Sequence, residues 1–484
     1  MLHRPLFLRL ATLLLLAISP IARAEEARLL ILHTNDFHDH LRPGTGGIGG
    51  LPYVAGYVAS VRAERADVLL VNAGDTAEKG DMVAFRTQSE LTYELMRTMR
   101  FDAVTLGNHD HDQGLPQMRR FEAALGQGFL CLNAVDPDGT PRFAVARTVT
   151  VGALKVGLIG LLVPQDEGTL DFAESGRRLA QESAKLKQEC HVVIAVCHHA
   201  VLACAAWSKM APDVDIFVSG HSHEWVEKPF ISPFTGVPIV QAGSYARAVG
   251  RLELGIDLTS KRVRVLEGRL VRMDHPTIAP DAVALARVLT EEARLCPEAA
   301  TWLCDNPAPI GSELAWLAAE GLRRQGKADI GFCHPGHILR DKLSAGPVDV
   351  NALFLTGGQR GHSVLRTTLS GEEILAYVEA LAASSDPTTW AGFGLKAAGG
   401  QHAPVLDPTR SYTVVMPELE WSKRFLRAAG RAKKRGPLGA REFTAESTDA
   451  HYTEALAALL TALPAVQRDL AALIAACRTR AGSG

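Results

Sequence analysis

Between residues 29 and 225, five apolar runs of strand length each stop at a cluster of aspartate, asparagine or histidine. "ARLLILHTNDFH" ends in Asp36 and His38, "DVLLVNAGD" in Asp75, and "DAVTLGNHD" in Asn108 and His109. "HVVIAVCHH" ends in His198 and His199, and "DIFVSGHSH" in His221 and His223. Buried without partners, such groups each cost roughly 2–7 kcal/mol. Helical patterns such as "LPYVAGYVASVRAER" and "SELTYELMRTMR" separate the runs. This alternation predicts an α/β fold. In such a fold the carboxyl ends of neighbouring strands line one crevice. One edge therefore collects Asp36, His38, Asp75, Asn108, His109, His198, His221 and His223. Two later runs, "RLELGIDLT" and "RVRVLEGRLVRM", predict a hairpin.

The donor types point to a metal. Carboxylate and amide oxygens mixed with imidazole nitrogen suit zinc, manganese or iron better than calcium or copper. Asp36 and His38, like His221 and His223, stand two apart, which on an extended chain puts both on one side. So many donors exceed one tetrahedral ion and suit two divalent ions sharing a carboxylate. Gly74 and Gly107 leave room where backbone must pass close.

The chain has 484 residues, enough for two or three domains. A net charge of −2 points to neither a nucleic-acid polymer nor a membrane surface as partner. The N-terminus reads as a cleaved secretory signal over residues 1–24. Arg4 and Arg9 precede "LATLLLLAISPIA", and Ala22 and Ala24 set the cut before Glu25. Cleavage brings the charge to about −5. The expectation is a secreted, periplasmic protein without a membrane anchor and of unknown oligomeric state. Of eight cysteines, Cys296 and Cys304 are the expected disulfide in an oxidising compartment. Cys131, Cys190, Cys197 and Cys204 read as buried thiols.

The ordered blocks D-x-H, G-D, G-N-H, strand-end H and G-H-x-H resemble the calcineurin-like metallophosphoesterases. "LHTNDFH", "NAGDTAEKG", "GNHDHD" and "VQAGSYARAVGRLEL" are similar to the exported 5'-nucleotidase branch. The resemblance implies a four-layer α/β/β/α metallophosphoesterase sandwich over residues 25–275. A linker helix (276–305) and an α/β substrate-binding domain (306–484) would follow. It implies one metal site of Asp36, His38, Asp75 and His223, and a second of Asp75, Asn108, His198 and His221, with Asp75 bridging. His109 would be catalytic and oriented by Asp112. His198 fits the strand-end histidine better than His199, which with His40 and His111 reads as loop or supporting shell. Lys79 reads either as a phosphate contact or as an ordinary exposed lysine.

The implied reaction is hydrolysis of a small phosphoester by a hydroxide held between two ions, of zinc, manganese or iron. The alternatives are a thiosulfohydrolase of sulfur oxidation and a non-catalytic binding protein on the same fold. The second domain departs from the branch. "HPGHILR" stands for an "NGGGIR"-like loop, and "GQRGH" for "PFGN". His334, Arg340 and Arg360 are the candidate substrate contacts, and Trp421 or Phe425 the candidate base-stacking rings. Fewer rings and more cations predict little discrimination among bases.

Overall fold

The computed structural model describes residues 26–44, 46–165, 167–311, 313–335, 342–358, 363–383, 389–391, 406–432, 438, 443–448 and 457. The leader reading and the residues Arg340 and Arg360 lie outside them.

Two sheets form the first part. One has the order β11–β10–β1–β2–β3: β1 (Glu26–Thr34), β2 (Val68–Asn72), β3 (Ala103–Val104), β10 (Ala248–Asp257) and β11 (Val263–Arg272). The other runs β4–β5–β6–β7–β9–β8. Its strands are β4 (Ala146–Val151), β5 (Leu154–Leu162), β6 (Val192–His198), β7 (Ile216–Ser219), β8 (Phe230–Ile231) and β9 (Pro238–Val240). Strands β1, β2 and β3 are mutually parallel, as are β5, β6, β7 and β9. The expected hairpin is present as antiparallel β10 and β11.

Strand alternation shows how these sheets stack. In β1, Leu29 and Ile31 enter one core while Leu30 and Leu32 enter another. In β6, Val192, Ile194 and Val196 share the core of Leu29, whereas Val193, Ala195 and Cys197 face a third. The core around Leu29 and Val192 thus lies between the sheets, and the central strands of each sheet are buried on both faces. Doubly buried strands read as continuous apolar runs, which is why the sequence shows little polar alternation there.

Helices cover the two outer faces. On the first sheet lie α1 (Leu51–Glu64), α2 (Met82–Arg86), α3 (Glu90–Met99) and α5 (Leu115–Leu125), while the short α4 (Asn108–His111) follows the end of β3. On the second lie α6 (Phe172–Glu189) and α7 (Val201–Met210). Helix α6 starts on Asp171, whose side chain accepts from Glu174 N at 2.8 Å, satisfying one orphan amide. The result is the expected α/β/β/α stack.

Helix α8 (Ala282–Leu295) is where the linker helix was expected, but it is not a free spacer. Ala284 and Val288 are buried in the first core. Cys296 packs into that core as well, whereas Cys304 packs with Leu303 and Leu314 in a separate one. Both are free thiols, so the expected disulfide is corrected: each sulfur serves as a small apolar group in its own cluster. Cys131, Cys190, Cys197 and Cys204 are buried and free, as expected.

Beyond α8, β12 (Trp302–Asn306) pairs with β14 (Gly346–Asp349), and α9 (Glu313–Gln325) packs under a third sheet. That sheet has the order β16–β13–β17–β15–β18: β13 (Ile330–Cys333), β15 (Val364–Ser370), β16 (Thr389–Ala391), β17 (Ser411–Pro417) and β18 (Glu446–Thr448). The helix expected after Ser370 spans Gly371–Ala383. Ser370 and Glu373 cap it reciprocally, each side chain bonding the other's amide.

The two parts meet at a joint that is apolar at Phe354, buried in the first core against Phe85, and polar around Arg42 and Asn351. Arg42 reaches Glu292 at 3.0 Å and Asp349 at 2.9 Å. Asn351 donates to Asp81 at 2.6 Å and accepts from Met82 N at 2.9 Å. Among the described residues no helix is long and apolar enough to cross a membrane.

Candidate metal and catalytic site

The strand ends converge. Asp36 and His38 follow β1, Asp75 follows β2, Asn108 and His109 follow β3, and His221 and His223 follow β7. His198 is the last residue of β6. Alternation turns Cys197 toward the outer helices, so His198 points inward at the other sheet. His199 instead lies edge-on to Trp207, 5.2 Å between centroids, where burial pushes it down to about 4.

Two groups of donors form around Asp75. Asp36, His38 and His223 make one, and Asp75, His198 and His221 the other. His223 Nε2 lies 3.2 Å from Asp36 Oδ1 and 3.1 Å from His38 Nε2. Asp75 Oδ2 stands between the groups, 3.6 Å from His38 Nε2 and 3.2 Å from His198 Nε2. Asn108 Oδ1 joins the second group at 2.9 Å from His221 Nδ1 and 3.3 Å from His198 Nε2. All seven expected ligands are therefore brought together.

The donor chemistry fits a cation. Carboxylate and carbonyl oxygens only accept. His198 Nδ1 donates to the Ala73 carbonyl at 2.7 Å, which turns its Nε2 toward two acceptor oxygens, those of Asp75 and Asn108. That backbone bond is the usual means of aiming a metal-binding histidine. Burial opposes a charge on His198, yet Asp75 and Asp36 beside it push it up to about 9. Burial holds His38 well below the usual histidine range. Burial also acts to raise the Asp75 carboxyl, but His198 and His38 outweigh it and hold Asp75 low. The site thus calls for positive charge between these groups.

Backbone strain marks these donors. Asp36 (φ 51°), His38 (45°), Asp75 (51°), His221 (72°) and His223 (57°) are all left-handed. A non-glycine residue held there costs about 1–3 kcal/mol. The extended-chain explanation for Asp36 and His38, and for His221 and His223, is corrected accordingly: tight left-handed turns, not strand alternation, bring each pair together. The glycines permit close approach between loops. A Cβ on Gly107 would stand 2.0 Å from Asp75 Oδ1, and one on Gly74 2.5 Å from Gly107 N.

His109 stands beside the first group, its ring 5.2 Å from that of His38, and its amide donates to Asp75 Oδ1 at 2.9 Å. The expected orienting carboxylate is corrected. Asp112 caps α4, its amide donating to Asn108 O at 2.8 Å, and its charge bears on His111. The carboxylate that meets His109 Nδ1 is Glu78. Lys79 Nζ lies 2.6 Å from His109 Nε2, so it is not an ordinary surface lysine.

Asp110 has another task. Buried, it accepts from the amides of Thr76, Ala77 and Gly107 and from the Tyr93 hydroxyl, tying the β2 loop to the β3 loop. Tyr245 borders the crevice, stacked on His40 at 4.4 Å and edge-on to His223 at 5.3 Å. Sequence reasoning misses Asp110, Tyr245 and Glu78, because nothing in their spacing sets them apart.

In the second part, His334 follows β13, and its Nε2 lies 2.8 Å from Arg424. The donor groups around Asp75 do not include it. Trp421 and Phe425 are corrected: both are buried in the core under β13 and β17, stacked on each other at 4.9 Å.

The calcineurin-like phosphoesterase family model matches residues 29–225. "Endonuclease YhcR" of Bacillus subtilis (strain 168) is 27% identical over 387 residues, 69% of this chain and 31% of its own length. The 5'-nucleotidase of Rattus norvegicus is 26% identical over 292 residues, 52% of this chain and 50% of its own. The chain thus spans half or less of the length of these relatives. The crystal structure of a 5'-nucleotidase precursor from Thermus thermophilus shares the fold with a TM-score of 0.67 at 21% identity. The match covers 90% of this chain and 96% of that one. Residues 29–225 of this chain are thus, by that match, a calcineurin-like phosphoesterase domain.

Proposed function

We propose that the chain is an exported hydrolase of small phosphoesters, working with two divalent transition-metal ions. The observation that carries this is Asp75, a member of the His198 group whose Oδ2 also lies 3.6 Å from His38 Nε2 of the other, with His109 beside them. Asp36, His38, Asp75 and His223 would hold one ion, and Asp75, Asn108, His198 and His221 the other. When bound, such ions supply Lewis acidity toward a phosphoryl oxygen and acidify a coordinated water.

The remaining work falls to side chains. His109 and the Lys79 ammonium beside its Nε2 stand where charge develops on the phosphoryl oxygens as the bond to the leaving group breaks. The hydrogen bond from the His109 backbone amide to Asp75 fixes where its ring starts. His198 is aimed by the Ala73 carbonyl and Asp36 by the Asn35 side chain, which donates to Oδ2 at 2.7 Å. These partners hold the ligands before any ion arrives.

Residues 306–484 are, in this reading, the substrate-binding unit, with His334, Arg340 and Arg360 as contacts. With Trp421 and Phe425 in the core, neither is available to stack on a base. Nucleotide hydrolysis should then show little base preference. The 5'-nucleotidase and endonuclease relatives support phosphoester chemistry and leave substrate size as the open variable.

The test is phosphate release from the four 5'-monophosphates, with bis(p-nitrophenyl) phosphate and a single-stranded DNA oligonucleotide alongside. The proposal expects turnover of the small esters, with kcat/KM among the bases within about a hundredfold, or roughly 2.7 kcal/mol. Oligonucleotide cleavage as the dominant activity would move the protein to the nuclease side of the family. Sulfate release from a thiosulfonate substrate without phosphoester turnover would favour the thiosulfohydrolase alternative.

A further inference from the structure

We propose that Glu78 and Lys79 complete the catalytic site: Glu78 positions the His109 ring, and Lys79 is the cation that meets the phosphoester beside it. This deepens the phosphoester reading above and rests on it.

Hydrogen-bond roles assign the charge. Glu78 Oε2 faces His109 Nδ1, and Lys79 Nζ lies 2.6 Å from Nε2. An ionised carboxylate only accepts, so the ring proton sits on Nδ1. An ammonium only donates, so the bare Nε2 accepts from Lys79. The ring is held at both nitrogens, and the positive charge at its tip belongs to lysine. That tip lies in the crevice, since the rings of His109 and His38 are 5.2 Å apart.

The loop is built for this placement. Glu78 (φ 71°) and Lys79 (φ 74°) are consecutive left-handed residues, and neither is glycine. Such strain persists only where the surroundings over-determine it. Here they do. Asp110 accepts from the amides of Thr76 and Ala77, and Asp39 accepts from the Glu78 amide at 2.7 Å. Asp39's carbonyl accepts from Asp81 N at 3.0 Å, and a Cβ on Gly80 would stand 2.0 Å from that oxygen. Glu78 and Lys79 could have paired with each other as neighbours in water. Instead the buried anchors on both sides turn each toward one nitrogen of the same histidine.

The chemistry follows. A lysine ammonium is a point charge suited to phosphate oxygens. Set beside the donor groups, it would hold a nonbridging oxygen of a phosphomonoester dianion and bear the charge that grows there. It would give less to a diester monoanion.

The experiment uses the full chain and the variants Lys79→Ala, Lys79→Arg, Lys79→Met and Glu78→Gln, each checked for metal content and melting temperature. Inorganic phosphate binding is measured by calorimetry, and p-nitrophenyl phosphate turnover by absorbance. We expect Lys79→Ala and Lys79→Met to keep both ions, weaken phosphate binding and lose about 10²–10³ in kcat/KM. Lys79→Arg should recover part of both losses. Glu78→Gln should lower kcat about 10–100-fold with KM held within about twofold. Unchanged phosphate affinity in both uncharged lysine variants would overturn the role of Lys79. Full kcat in Glu78→Gln would overturn that of Glu78. A wild type that binds two ions yet hydrolyses no phosphoester would instead refute the broader reading, while the phosphate titrations still decide the placement of Lys79.

Discussion

His198 Nε2 lies 3.2 Å from Asp75 Oδ2 while its other nitrogen is tied to the Ala73 carbonyl at 2.7 Å. Asp75 belongs to the first sheet's edge and His198 to the second's. Their contact joins the two sheets at the crevice and makes Asp75 the hinge of both donor groups. The sensitivity of the site to small changes follows from this packing.

Gly107→Ala tests the packing directly. The new methyl would meet Asp75 Oδ1 at 2.0 Å, and the other nearest atoms are Asp75 backbone and carboxylate rather than a flexible tip. Asp75 must shift. The variant should bind less metal and melt at lower temperature, as read by elemental analysis and calorimetry. Wild-type metal content and stability together would show that the loop has more slack than the structure gives it.

His109→Asn should keep its metal and lose about 10²–10⁴-fold in kcat, the range for a positioned group that acts on the reacting centre. His109 contacts Asp75 through its backbone amide, which the substitution leaves in place. Loss of metal in this variant would make the ring a ligand and the assignment wrong.

His33 offers a pH test of folding away from the crevice chemistry. It is buried in β1 opposite Gly250, and burial lowers it to about 3 from 6.5. The folded ring stays neutral where the unfolded one takes a proton. Stability should therefore fall as pH drops from about 6.5 toward 3, by up to about 4 kcal/mol from this group. His33→Phe keeps a ring over Gly250 and removes the titration. Denaturant melts from pH 7 to 4 should show a shallower loss for the variant. Parallel curves would mean that His33 does not titrate as its burial implies.

Trp421→Ala separates core from binding surface. The ring is buried against Phe425, so its removal should cost about 3–5 kcal/mol of stability. KM for nucleotides should not change in the folded fraction. A rise in KM without loss of stability would restore Trp421 as a substrate contact.

Some features were legible because they depend on periodicity and position. The apolar runs gave the strands, and the polar residues at their ends gave all seven candidate ligands, now gathered around Asp75. The choice of His198 over His199 has its physical reason in alternation, which turns Cys197 outward. Other features depend on backbone that sequence patterns do not encode. Glu78 reaches His109 because two consecutive residues are left-handed, and no spacing rule anticipates that in "AEKGD". Asp112 was the nearer carboxylate in sequence, but α4 turns it toward His111. Trp421 and Phe425 looked like binding rings when only the loop was considered, whereas the sheet above them makes them core. Cys296 and Cys304 are close in sequence, yet each ends up in a different cluster.

Elemental analysis of the purified chain and of its Asp75→Ala variant decides whether one carboxylate serves both donor groups. Close to two transition-metal ions are expected per wild-type chain, with both lost in the variant, because Asp75 Oδ2 lies within 3.6 Å of a histidine of each group. A single ion in the wild type, or two ions retained after Asp75→Ala, would contradict that shared role.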